Sequence, residues 1–287
     1  MSGSREKQRN FSGRNKAMNF TVLSDNNGTE QLTGEWGLSI LIDFDGLNIL
    51  LDAGASGLFL KNARLLGKDL RRIDIAVLSH AHYDHADGFV QLLRENPELK
   101  VYIRRCAEAS CYALKESGLE YIGVAPALVN DFEDRLTRVD GDCQIAENIW
   151  LIPHKCQGRT EIGIRERMFV RAGEELIPDD FSHEQSLVFQ TKKGLCIFNS
   201  CSHAGASEII EEIRQTFPGE RVYAYIGGFH LYRKTEEEVR RFAERLKAEN
   251  VEKICTGHCT GDAACAILKE QLGERITQFH VGLEMEL

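Results

Sequence analysis

Apolar positions in this chain fall into short runs broken by small or acidic turn residues, and further on into stripes at helical spacing. Phe20–Leu23, Gly37–Phe44 and Leu47–Leu51 read as strands, with Asp45-Gly46 as a tight hairpin turn between the last two. Gly57–Leu66 has helical periodicity and leads to Ile73–Ser79, an apolar, β-branched run that predicts a buried strand. Asp87–Glu95 and Ala107–Ser117 are predicted as helices flanking a strand at Lys100–Ile103. A second block of strands follows at Ile149–Ile152, Ser186–Gln190 and Leu195–Asn199, the last two joined by the turn Lys192-Lys193-Gly194. Ser207–Phe217 reads as a helix stopped by Pro218-Gly219, and Arg221–Ile226 as a strand. Thr235–Ala248 carries the clearest helical pattern, with Thr235 and Glu238 spaced as a capping box and Val239, Phe242 and Leu246 as its buried stripe. A strand at Lys253–Thr256 and a helix over Asp262–Leu272 complete the order. Strands, helices, strands, helices: the plan predicts an α+β fold in which two mixed sheets pack face to face with helices outside. The charged stretch Cys156–Asp180 lacks strong periodicity and is expected to be an excursion near the site, in the manner of a lid.

Composition narrows the function. At 287 residues with 43% hydrophobic content, the chain has enough apolar material for a sizeable core. The net charge of −9 argues against a general nucleic-acid or anionic-membrane surface. No apolar run approaches the ~18–20 residues of a membrane span. Met1–Ala17 is basic and polar, so it reads as a disordered lead-in rather than a secretory signal, with the domain proper expected over 18–287. The nine cysteines are odd in number, scattered and without a Cys-x-x-Cys pair, which points to free thiols in a reducing cytoplasm.

The densest chemistry follows the Ile73–Ser79 strand, where His80, His82, Asp84 and His85 fall within six positions. Imidazole and carboxylate bind Zn, Mn or Fe as divalent cations, with zinc the first expectation for one or two ions. In extended backbone i and i+2 point the same way, so His80 and His82 can converge on one ion. Asp84 and His85 lie past a bend, where they can serve a second. Three more histidines directly follow apolar strands: His203 after Leu195–Asn199, His230 after Arg221–Ile226 and His258 after Lys253–Thr256. Strand ends on one sheet edge bring distant segments together, so His258 and His203 are expected as ligands, and His230 as a ligand or a substrate contact. His183, before the Ser186–Gln190 strand, is a further ligand candidate with Asp180 as its competitor, while His154 and His280 look incidental.

With His80-x-His82-x-Asp84-His85 after a strand, Leu51-Asp52-Ala53-Gly54 upstream and Gly257-His258 near the end, the chain resembles the metallo-β-lactamase superfamily from Met18 to Leu287. The resemblance implies an αββα sandwich with metals at one edge, His80 and His82 holding the first ion and Asp84, His85 and His258 the second. The segments Asn199–Gly205, Gly227–Leu231 and Gly257–Gly261 are similar to the subgroup of dihydropterin–ribofuranosylaminobenzene 5′-phosphate synthase. One departure stands out. Superfamily hydrolases commonly follow the strand equivalent to Leu195–Asn199 with Gly-Asp, the Asp bridging two metals; this chain has Ser200-Cys201 and no Asp. His203, or after it the Cys201 thiolate, is left to substitute, or the second metal is held loosely. The usual Gly-His before the preceding strand is likewise Ser182-His183 here.

The implied chemistry is attack by a metal-activated hydroxide on an ester, lactone or phosphate centre of a small substrate. Asp84 would orient the nucleophile and accept a proton, and His230 or His183 would stabilise an oxyanion or protonate the leaving group. The alternative is the pterin reaction itself, displacement of pyrophosphate from a pterin-methyl group by an aryl carbon. There, Arg159, Arg165, Arg167 and Arg171 of the charged excursion would supply phosphate contacts. A third reading is a ligand sensor that keeps the metal for structure.

Overall fold

The computed structural model describes residues 18–108, 110–155 and 157–287, so the expected lead-in over Met1–Ala17 lies outside the described residues. The first half of the chain runs β1 (Met18–Ser24), β2 (Ser39–Phe44), β3 (Leu47–Leu51), α1 (Leu58–Leu65), β4 (Ile75–Val77), α2 (Tyr83–Ala86), α3 (Gly88–Glu95), β5 (Val101–Arg104), β6 (Cys111–Lys115), β7 (Gly118–Tyr121), α4 (Pro126–Phe132) and β8 (Leu136–Val139). The second half continues with β9 (Cys143–Ala146), β10 (Ile149–Pro153), α5 (Arg159–Glu166), β11 (Met168–Ala172), β12 (Glu175–Pro178), β13 (Gln185–Thr191) and β14 (Gly194–Phe198). It closes with α6 (Ala206–Thr216), β15 (Val222–Ile226), α7 (Glu236–Ala248), β16 (Lys253–Thr256), α8 (Asp262–Leu272), β17 (Ile276–Gln278) and β18 (Glu284–Glu286).

Two seven-stranded sheets result, in the orders β18-β1-β2-β3-β4-β5-β8 and β17-β16-β15-β14-β13-β10-β9. Alternation along β1–β3 sends Met18, Phe20, Ile40, Ile42 and Phe44 inward, where they meet Leu187, Phe189, Phe198 and Tyr223 of the second sheet in one buried cluster. The outer face of the first sheet is covered by α1, α3 and α4 through Phe59, Leu60, Phe89, Leu92 and Leu128. That of the second is covered by α6, α7 and α8 through Ile209, Ile213, Val239, Phe242, Leu246 and Leu268. The αββα sandwich expected from the sequence is the observed architecture. In each sheet the strands feeding the site are parallel: β3 with β4 and β5, and β14 with β15 and β16. Ligands in such sheets collect beyond the carboxyl ends of parallel strands, and that end carries the histidines here.

Two expectations change. The stretch read as a helix over Ala107–Ser117 holds β6 instead, turned into β7 at Gly118, whose φ is +117. Its residues favour a helix intrinsically, but pairing with β11 on one side and β7 on the other overrides propensity. The excursion after Cys156 is likewise ordered, as α5 followed by the β11–β12 hairpin, and with β6 and β7 it makes a third sheet, β12-β11-β6-β7. Among the described residues no helix is long and apolar enough to cross a membrane, and Cys106, Cys143, Cys196, Cys201, Cys255, Cys259 and Cys265 are free thiols.

Candidate metal centre

Asp52 directly follows β3 in the left-handed region, at φ +59, which turns its carboxylate under the loop after β4. One oxygen accepts from the Ser79 backbone N–H at 2.7 Å. The other accepts from Ser79 Oγ and from His85 Nδ1, both at 2.7 Å. With its proton given to Asp52, Ser79 Oγ takes one from His80 Nδ1, 2.8 Å away. His258 Nδ1 faces Asn26 Oδ1 at 3.1 Å, and the Asn26 amide donates to the His258 carbonyl, which fixes the amide's orientation. His80 and His85 are thus held with the proton on Nδ1 and Nε2 turned inward, the tautomer that ligation requires, and Asn26 offers His258 the same arrangement.

His82 caps the four-residue helix α2, so Asp84 and His85 ride on its first turn beside the loop histidines. His258 reaches the same place from β16 with φ +48, its backbone N–H held by the buried Asp25 carboxylate at 2.9 Å. His203 follows β14 and is held by Glu184, whose two oxygens accept the backbone N–H groups of His203 and Ala204 at 3.0 and 3.1 Å. Beneath that turn, Asn199 receives the Ser202 N–H and contacts His154 and Ser186. His154 is therefore not incidental: it is buried support for the His203 loop, whereas His280 is exposed. Gly228 lets the loop after β15 close over this turn, since a Cβ there would lie 2.4 Å from Cys259 Sγ and 2.9 Å from the Ser200 carbonyl oxygen.

The donor atoms sit at ligand spacing. His85 Nε2 is 3.1 Å from His258 Nε2 and 3.2 Å from Cys201 Sγ, and Asp84 Oδ2 is 3.4 Å from His258 Nε2. Atoms around one tetrahedral ion with bonds of 2.0–2.3 Å stand roughly 3.3–3.7 Å apart. The His80, Cys201 and His203 donors form a second group, all within 4.8 Å of one another, and the His82 ring is 5.0 Å from that of His203. His80 Nε2, His82 Nε2 and both nitrogens of His203 are buried without a partner. An unpaired buried polar atom costs about 1–3 kcal/mol, so several facing one another are an arrangement that a cation resolves.

Electrostatics agree. Burial, reinforced by the neighbouring imidazoles, pushes His80 and His203 well below the ordinary histidine range and His82 to about 3, so all three are neutral ligands in waiting. Burial works against ionised Asp84, but His85, His258 and His82 outweigh it and hold the carboxyl below its usual range. Burial works against protonated His258 too, but Asp84 prevails and raises it to about 9, so an ion there would displace a proton. The residues present fit divalent metal: five imidazole donors, one carboxylate and one thiol.

The remaining expected residues lie around this set. His183 packs beside His82, with rings 5.4 Å apart, and has both nitrogens engaged: Nδ1 accepts from Ala81 N–H at 3.1 Å and Nε2 faces Asp179 Oδ2 at 3.1 Å. Asp180, its competitor, instead accepts from Ser182 N–H. His230 follows β15 at φ +50, its ring 4.5 Å from that of His203. Its Nε2 is 3.8 Å from Glu166, which is also bound to Lys234 at 2.6 Å. A cavity of about 340 Å³ opens above the donors, walled by Trp36, Tyr83, Met168, Glu166 and Tyr232. A neighbouring groove shares Glu166, His203 and His230 and is lined by Arg165, but Arg159 bonds the His154 carbonyl and Arg171 lies over Tyr112. The sequence reading missed Glu184, Glu166, Trp36 and Tyr232, because each matters only through a neighbour distant in sequence.

A family description of the metallo-β-lactamase superfamily matches residues 33–165. The 7,8-dihydropterin-6-methyl-4-(β-D-ribofuranosyl)-aminobenzene-5′-phosphate synthase of Methanocaldococcus jannaschii is 26% identical over 280 residues, covering 92% of this chain and 94% of the synthase. Among solved structures, Zn(2+)-bound PqqB from Methylobacterium extorquens shares the fold alone, at 12% identity and a TM-score of 0.55, covering 94% of this chain and all of PqqB. Tm1679, described as a metal-dependent hydrolase of the β-lactamase superfamily, superposes with a TM-score of 0.78 at 30% identity, covering 94% of this chain and 99% of its own. That identity extends over nearly the whole of both chains, and with the sandwich and the clustered His/Asp donors it establishes that this chain belongs to the metallo-β-lactamase superfamily.

Proposed function

We propose that residues 18–287 form one metal-dependent hydrolase domain acting on a small ester, lactone or phosphate-type substrate. The observation that carries the proposal is the set of inward-facing, unpartnered nitrogens at the floor of the 340 Å³ cavity. His80, His82 and His203 would hold one ion, and Asp84, His85 and His258 the other. Bound divalent ions supply a nucleophile at neutral pH and draw charge from the electrophile. The protein's own residues do the rest. Asp84 orients the attacking group and takes up its proton, and His230, on the cavity wall, meets the leaving group. Glu166 holds His230 and Lys234 at the edge of the cavity, and His183 braces the His82 loop through Ala81. The free thiols suit a reducing compartment, and we place the protein in the cytoplasm.

A second reading is favoured by a specific observation. Trp36 and Tyr232 form an exposed aromatic wall, with centroids 5.3 Å apart, and Trp36 lies 5.0 Å from the His258 ring. Such a wall accepts a flat ring system, as a pterin-methyl transfer with pyrophosphate displacement requires, and the similarity to the synthase supports that reading. The test is a panel assay of protein loaded in turn with zinc, manganese and iron. It covers phosphomonoester, phosphodiester and lactone substrates, and the pterin-methyl diphosphate with its aryl acceptor. Hydrolysis that His82→Ala abolishes supports the first reading; release of pyrophosphate only in the presence of the aryl acceptor supports the second.

A further inference from the structure

We propose that the groove beside the metal cavity binds a phosphate group that takes no part in the reaction, carried on the far end of the substrate. The inference rests on the metal-centre reading above and adds a substrate class to it. The groove holds about 680 Å³ and meets the metal cavity at His203, His230 and Glu166, which line both. A molecule reacting at the ions can therefore extend past His230 into a second space larger than the first.

His203 lacks what other histidines of the centre have. Ser79 and Asp52 stand beside Nδ1 of His80 and His85, and Asn26 beside that of His258. His203 is 4% exposed, and among the described residues neither of its nitrogens has a partner. An ion uses one of them. The other keeps its proton, which a metal-bound imidazole ordinarily gives to a carboxylate, a carbonyl or water. His230 repeats the pattern: its ring stands 4.5 Å from that of His203, and its Nδ1 is buried and unpartnered.

The third source of donors is backbone. Glu184 takes the N–H groups of His203 and Ala204, but α6 begins just beyond, at Gly205, and among the described residues no side chain caps it. The N–H groups of its first turn are left for a ligand, at the positive end of an eleven-residue helix. Gly205 and Ala206 line the groove together with the two histidines. Donors from three separate segments suit a tetrahedral oxyanion better than a planar carboxylate. One acidic side chain stands in the way. Glu208 folds its carboxylate back against Gly205, where Arg245 holds it at 3.1 Å, yet its side chain is 42% exposed and free to swing outward. An arriving phosphate replaces that carboxylate at the helix end and as the partner of Arg245, which also lines the groove.

Calorimetric titration of the zinc-loaded protein with inorganic phosphate tests the proposal, with zinc content measured on each preparation. Ala206→Pro deletes one donor N–H at the first helical position, where proline is tolerated, and phosphate should bind about ten-fold more weakly. Glu208→Gln removes the competing charge and should bind about three-fold more tightly. Both should keep the zinc content of wild type. Opposite shifts at unchanged zinc place phosphate in the groove. Equal binding by wild type and both variants puts phosphate on the ions, which overturns the groove site and leaves the metal centre standing. No binding by wild type overturns the groove site as well. Glu208→Gln decides alone where Ala206→Pro fails to fold or loses zinc. Wild type that takes up no zinc overturns the metal centre, a failure read from the metal analysis and separate from the phosphate titration.

Discussion

Asp52 Oδ2 lies 2.7 Å from His85 Nδ1 with both side chains fully buried, although the two residues belong to different segments of the sheet edge. The carboxylate fixes the His85 tautomer and, through Ser79, that of His80, so one residue aims a ligand into each group. Partners of this kind typically contribute 10–100-fold to metal affinity. Asp52→Ala is therefore expected to weaken zinc binding by about that factor in a chelator competition, and both ions should be affected. Its stability should fall by about 2–4 kcal/mol, because the Ser79 N–H and the His85 ring lose their acceptor inside the protein.

Glu184 plays the equivalent part for the far side of the site. Its buried carboxylate is the acceptor for two consecutive backbone N–H groups, and removing it strands both. Glu184→Ala should lower stability by about 2–4 kcal/mol in urea unfolding and release the ion held by His80, His82 and His203 more readily. Zinc stoichiometry after dialysis checks the second effect. If the stoichiometry and the midpoint both match wild type, Glu184 does not hold the His203 loop.

How much of this was legible beforehand follows from the range of each signal. His80, His82, Asp84 and His85 are neighbours in sequence, so residue type and period sufficed to find them. His258 and His203 were found because parallel strands end on a common edge, which is a rule about topology rather than contact. Glu184 and Glu166 carry no such local mark. Their roles depend on a side chain just before β13 and one at the end of α5 meeting backbone or rings in the loops after β14 and β15. The Ala107–Ser117 stretch misled for a related reason: its helical composition is local, and the β11 partner that makes it a strand is a different part of the chain. Cys201 entered the sequence reading only as a substitute for the absent Asp, and its nearness to the His80, His85, His203 and His258 donors comes from the fold.

On the proposed metal centre, the unpartnered nitrogens burden the apo protein with a cost that loading would relieve. At a free metal concentration about 1,000 times Kd, binding adds about 4 kcal/mol to unfolding. For a domain of this size that is a rise on the order of 10 °C in Tm. Calorimetry with zinc and then with chelator should show the shift and its reversal, and His82→Ala should respond far less. Equal melting temperatures in zinc and chelator would exclude a bound ion as the partner of these histidines.

Stability and chemistry should separate cleanly on α7. Thr235 accepts the Glu238 N–H and Glu238 reaches back to the Thr235 N–H, the reciprocal capping box that the sequence indicates. Thr235→Ala is expected to cost about 1 kcal/mol while leaving metal content as in wild type, since the cap lies at the surface. Urea unfolding and metal analysis on the same preparation test both halves.

Trp36 tests the substrate class. It is 41% exposed, an unusual state for so large an apolar side chain, and it is held edge-on to Tyr232 beside the His258 ring. A side chain that only covered the ligand histidine would, on removal, alter metal affinity. One that receives a flat ring would alter substrate binding instead. On the second view Trp36→Ala loses about 1–1.5 kcal/mol of stacking, a rise in KM of about ten-fold for aromatic substrates. The kcat should hold, because the contact is made equally in the ground and transition states. Small aliphatic lactones should show no such rise. A loss confined to kcat, or an equal rise in KM for aromatic and aliphatic substrates, would remove the aromatic wall from substrate recognition and return Trp36 to the shielding of His258.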